Sequence, residues 1–140
     1  MTPTADRIQE SKTKLKVGTA LTALTALFLA FDAGIKVMKL TPAMEATTEL
    51  GYPAEAVFWI GLIELVCLLL SLVPRTAVSG ALLFTGYLGG AIATHVRVGN
   101  PLLSHTLFPV YVAAVMWGGL YLRESRLGAL IPFRRGQEGR

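Results

Sequence analysis

Glu64 is the residue whose position most needs a chemical explanation. It stands near the middle of residues 54–73, AEAVFWIGLIELVCLLLSLV, a mainly apolar run. About twenty apolar residues at helical rise cross the hydrocarbon of a bilayer. A carboxylate at that depth costs a few kcal/mol even on lenient insertion scales, so it has a partner or a use. Helical spacing puts Gly61, Glu64, Cys67 and Ser71 on one face, with Leu62, Leu65, Leu69 and Leu70 mostly elsewhere. Glu64 is therefore expected to face inward among small and polar neighbours. In a low-dielectric site its carboxyl stays neutral unless Lys36, Arg97 or another cation reaches it. A carboxyl that exchanges a proton suits proton coupling, or hydrogen bonding to a carbonyl ligand such as a quinone. A neutral Glu bonded to a neighbouring helix is the plainer alternative.

A second set of polar residues falls at matching depth on two other apolar segments. Asp32 and Lys36 are spaced i, i+4 and can pair directly. They close the outer end of a bundle or line a polar site. Thr94 and Arg97 share a helical face, with His95 about a quarter turn away. Together Asp32, Lys36, Thr94, His95 and Arg97 describe a polar funnel that opens outward and closes at Glu64. We take these six as the candidate ligand-binding residues and assign no catalytic residue and no metal ligand. His95 and His105 are the only histidines, and with Asp32 they make three scattered ligands without a zinc spacing. Cys67 is the only cysteine, which excludes an internal disulfide or a Cys-x-x-Cys redox pair. Its apolar run makes it a packing residue rather than a nucleophile. No phosphate loop, nucleophile elbow or zinc signature occurs.

The elements that carry these residues are membrane helices. Of 140 residues, 53% are hydrophobic and 16% charged, well under the usual charged share of a soluble domain. Residues 1–16 form a basic surface segment. Residues 17–38, 54–73, 76–98 and 102–122 are the predicted spans, and residues 123–140 a basic tail. In the tail, Leu127, Leu130, Ile131 and Phe133 rest on the membrane, with Arg126, Arg134 and Arg135 at the headgroups. The first span follows a basic flank, as a signal peptide would. Without a clear cleavage site, and with Asp32 and Lys36 extending a polar stripe, it reads as a retained helix. The connection at 39–53 leaves room for a short interfacial helix between Pro42 and the Gly51, Tyr52, Pro53 cluster. Pro74 and Arg75 make a tight turn, so the second and third spans are antiparallel neighbours. Gly86 and Gly90 form a G-x-x-x-G pair, read as a close helix contact without a ligand role.

The fold class expected is therefore all-α, an integral-membrane four-helix bundle running up and down. Ten of thirteen Lys and Arg residues fall on the side of both termini and Arg75, and only Lys36, Lys39 and Arg97 on the other. The positive-inside rule then places both termini in the cytoplasm. The net charge of +4 sits at segment ends and does not indicate nucleic acid.

Several local patterns occur in order along the chain: GIKVMKL at 34–40, LGYP at 50–53, GLIE at 61–64 and GGAIATHVR at 89–97. Gly99 and Pro101 follow, and Leu122-Arg123 closes the last helix. In this the chain resembles the DoxX-like family of small four-helix bacterial membrane proteins. The resemblance implies a multi-pass protein of the bacterial inner membrane, with Lys36, Glu64, His95 and Arg97 as family-like polar residues. Some relatives are described as subunits of thiosulfate:quinone oxidoreductase or of membrane oxidoreductase complexes that handle oxidative stress.

Two functions compete. The first is a binding or accessory subunit that holds a quinone or another lipophilic molecule, while an oxidoreductase partner supplies the redox centre. The second is a small proton-coupled transporter that uses Glu64, although Lys36 and Arg97 at the same mouth argue against a cationic cargo. An enzyme acting alone ranks last, since no nucleophile, base and orienting group can be assembled. The lipid bilayer is the certain partner, and a homo-oligomer is the other candidate.

Overall fold

A computed structural model describes residues 3–130 and contains only helices and connections among them. The first helix, α1 (Pro3–Val37), joins the expected surface segment and first span into one rod of 35 residues. At helical rise it is about 52 Å long, well beyond the hydrocarbon thickness. Next come α2 (Thr41–Glu49), α3 (Ala56–Leu72) and α4 (Ala77–Arg97). A wide π-type turn over Leu102–Thr106 leads into α5 (Phe108–Arg123), and α6 (Ser125–Leu130) ends the described chain.

Three helical stretches are long and apolar enough to cross a membrane: Ala5–Val37, Ala77–Arg97 and Leu102–Arg123. The predicted second span is shorter than expected. Its helix covers Ala56–Leu72, 17 residues, because Pro53, Ala54 and Glu55 are spent on a turn. The four long helices pack pairwise, α1 against α3 and α5, and α4 against the same two. Their outward faces are apolar: Leu24, Leu27, Phe31, Trp59, Ile63, Leu69 and Leu82 are all exposed. Apolar exteriors around a modest interior are what lipid demands and water forbids.

The interior is built from Leu29, Cys67, Leu68, Ala81, Phe84, Leu88, Met116 and Leu120. Leu127 belongs to the same cluster at 2% exposure, which corrects its expected place on the membrane surface. The tail residues Ile131, Phe133, Arg134 and Arg135 lie outside the described residues. The Trp117 indole N–H donates to Thr85 Oγ1 (2.9 Å) and ties α5 to α4.

Helices touch where side chains are missing. On α1 and α5, a Cβ on Gly18 would come within 2.9 Å of Gly119 O, and one on Gly119 within 2.8 Å of Thr22 Oγ1. On α3 and α4, a Cβ on Gly80 would enter the backbone of Leu70 and Ser71. Gly86 and Gly90, the expected contact pair, have nothing within 4 Å of such a Cβ, so they are not the close contact. Lipid-embedded helices approach through small residues, but the pattern alone does not say which ones meet a neighbour.

Three helices stop in the same way at the same end. Lys39, Gly51 and Gly99 have φ of 52°, 83° and 72° after α1, α2 and α4. In each, the next residue's N–H reaches back five: Leu40 to Ile35, Tyr52 to Thr47, Asn100 to His95. This is the left-handed closure that satisfies the last carbonyls. Gly99 makes no contact through a Cβ position, so Gly99→Ala isolates the backbone term. It is expected to lower stability by about 1 kcal/mol. Thermal unfolding in detergent checks this, and an unchanged midpoint would contradict it.

Candidate functional site

Lys36 is brought to α3 by a close approach. Gly61 on α3 has no side chain where Lys36 Cβ and Ala33 O of α1 press against it. Lys36 can then extend along α3 toward Glu64, one turn further on. Its Nζ donates to Asp32 Oδ2 (2.6 Å), to Glu64 Oε2 (2.7 Å) and to Tyr87 Oη (3.2 Å). Tyr87, on α4, donates its O–H to the same Glu64 Oε2 (2.8 Å). Three helices thus meet at four side chains. Glu64 is 1% exposed, so it does have the cation that the sequence left open. A buried carboxylate is tolerable only when paired and hydrogen-bonded.

The bonding is lopsided. Glu64 Oε2 accepts two bonds, while Oε1 is buried and has no partner. An unpaired buried acceptor carries a penalty of about 1–3 kcal/mol. Glu64 also stands on the wall of an open space. A cavity of about 570 Å³ is lined by Asp32, Lys36, Glu64 and Tyr87, and by apolar residues that include Phe28, Ile60, Ile63 and Val112. That volume and its lining, mostly apolar with a few converging polar groups, fit a small-molecule site. Gly86 and Gly90 lie on its wall, and their missing side chains are part of what leaves it open.

Five of the six expected residues line this cavity: Asp32, Lys36, Glu64, Thr94 and His95. Thr94 Oγ1 donates to Gly90 O (2.9 Å) and accepts from Tyr52 Oη (2.8 Å). His95 Nδ1 accepts from Asn100 Nδ2 (2.8 Å), and its ring meets His105 edge-on at 6.0 Å between centroids. Among the described residues, no group of three or more His, Cys, Asp or Glu could hold a metal ion.

Arg97 is the sixth, and it corrects the expected funnel. It is not on the cavity wall; its Nη2 donates to Leu50 O, and its guanidinium lies 5.9 Å from the Tyr52 ring centre. It holds the turn after α2. That helix lies across the end of the cavity through Pro42, Ala43, Ala46 and Thr47.

Tyr87, Tyr52 and Thr47 are the site residues that the sequence reading missed. Tyr87 had a signal: with Thr94 it is spaced i, i+7 on one face of α4. Tyr52 had none, since its contact with Thr94 spans 42 residues.

No curated protein and no solved structure matches this chain. A family model described as the DoxX-like family matches residues 20–119, which takes in every residue of the cavity. With three helices able to cross a membrane and this match over most of its length, the chain is a membrane protein that belongs to the DoxX-like family.

Proposed function

We propose that this protein is a ligand-binding or accessory subunit of a membrane oxidoreductase system, holding a lipid-soluble small molecule such as a quinone. The observation that carries this reading is the 570 Å³ apolar cavity that ends on a buried, incompletely bonded carboxyl. No redox dithiol can form within the chain, so electron transfer belongs to a partner. In this reading the protein lies in the bacterial inner membrane and crosses it four times, through α1, α3, α4 and α5. The α3 helix, about 25 Å long, is the short span, and a locally thinned bilayer accommodates it. The distribution of Lys and Arg supports cytoplasmic termini.

The expected result is that a lipophilic molecule stays with the purified wild-type protein and is identified by mass spectrometry. Gly90→Leu fills the cavity from an open position and should expel it. Equal amounts of guest in the two proteins, or none in the wild type, would sink the proposal.

One observation favours the second reading, a small proton-coupled transporter. Arg97, half of the reason to reject a cationic cargo, is turned out of the cavity. Proton-driven efflux from reconstituted vesicles, abolished in Glu64→Gln, is its expected signature, and efflux that survives the substitution contradicts it.

A further inference from the structure

At its Glu64 end the cavity has used its donors and kept an acceptor. Lys36 spends its N–H groups on Asp32, Glu64 and Tyr87. Tyr87 gives its proton to Glu64, Thr94 to Gly90 O, and Tyr52 to Thr94. Glu64 Oε1 remains, buried and unpartnered. Charge points the same way. Asp32 and Glu64 carry two formal negative charges against one on Lys36, and among the described residues no other Lys or Arg lines the cavity. Lys39 lies over the Phe58 ring (5.7 Å) and Arg97 is bound to Leu50 O.

A guest that completes this site supplies a hydrogen-bond donor, a positive charge and an apolar body. We propose that the cavity takes a lipophilic ammonium, an alkyl or arylalkyl amine whose N–H is received by the Glu64 carboxylate. The three requirements separate it from its rivals. An alcohol supplies the donor without the charge. A quinone supplies only acceptors, and at the Glu64 end no free donor meets them unless Glu64 first takes up a proton. A fatty acid adds a third negative charge to a site that already holds two carboxylates. A buried carboxylate gains most from a charged donor, since desolvation strengthens the attraction between them. A proton on the Glu64 carboxylate and the ammonium are alternatives for the same charge, so each excludes the other. This inference rests on the reading of the cavity as a ligand site and narrows what it holds.

The test uses the full-length protein in lipid nanodiscs, with empty nanodiscs to subtract partitioning into lipid. Four probes share one tail: decylamine, decanol, decanoate and decyl-benzoquinone. Wild type should bind decylamine about tenfold or more tightly than any of the other three. Glu64→Gln should reduce that preference to about threefold or less, with decanol still bound as the sign of an intact cavity. Decanol or the quinone binding as tightly as the amine overturns the proposal. Gly90→Leu separates the two ways to fail. If all probes bind alike and all are lost in Gly90→Leu, the cavity is a ligand site without the charge preference. If no probe is lost in Gly90→Leu, the cavity reading falls and the ammonium falls with it.

Discussion

Lys36→Met is expected to cost the folded protein about 3–5 kcal/mol, because it removes the cation that pairs with a carboxylate buried to 1% exposure. Methionine keeps the length of the side chain and passes over Gly61 without a clash, so packing changes little. What changes is charge: Glu64 and Asp32 are left facing the same space with only Tyr87 donating to one of them. Glu64→Gln in the same chain should recover most of the loss, since it removes the stranded charge along with its partner. Unfolding of the single and double variants in detergent gives the coupling directly, as a double-mutant cycle. Additive losses would mean that the pair is not coupled and that the cluster does not hold the helices together. Partial rescue in Lys36→Arg is not expected. The planar guanidinium cannot place three separate donors as the ammonium does.

The second large effect is expected at Gly80. A Cβ there would enter the backbone of Leu70 and Ser71, and backbone atoms on a packed helix cannot turn aside. Gly80→Ala should therefore destabilise by about 1–3 kcal/mol and push α4 away from α3. Gly86→Ala, six residues along the same helix, meets nothing within 4 Å and should be neutral or slightly stabilising. The contrast is read from unfolding of the two variants side by side. A loss at Gly86 equal to that at Gly80 would place the helix contact at the G-x-x-x-G pair after all.

That contrast also shows where the sequence was legible. Glu64 facing inward follows from the 3.6-residue period and from the cost of charge in lipid, and both act within one helix. Asp32 paired with Lys36 follows from i, i+4 spacing for the same reason. The cavity was legible as a direction, with Thr94 and His95 on the segment that faces Asp32. What failed was long-range. The role of Arg97 depends on where the turn after α2 comes to rest, 47 residues away, and no local pattern reports that. Gly86 and Gly90 match a packing pattern that describes a smooth surface but not whether another helix lies on it. Tyr87 could have been placed by its spacing from Thr94, but a tyrosine in a glycine-rich span does not announce a bond to a carboxylate. The short α3 was misjudged by the turn that precedes it.

The small helix α2 has a consequence for time rather than for affinity. It is fastened to α4 at two points, by the Arg97 bond to Leu50 O and by Tyr52 on Thr94. To swing away from the chamber beneath it, both must let go, at about 2–4 kcal/mol together. A latch of that strength is undone only about once in thirty to once in a thousand moments. Any occupant leaving by that door waits correspondingly longer, so its dwell time is governed in part by Arg97, which is not on the cavity wall.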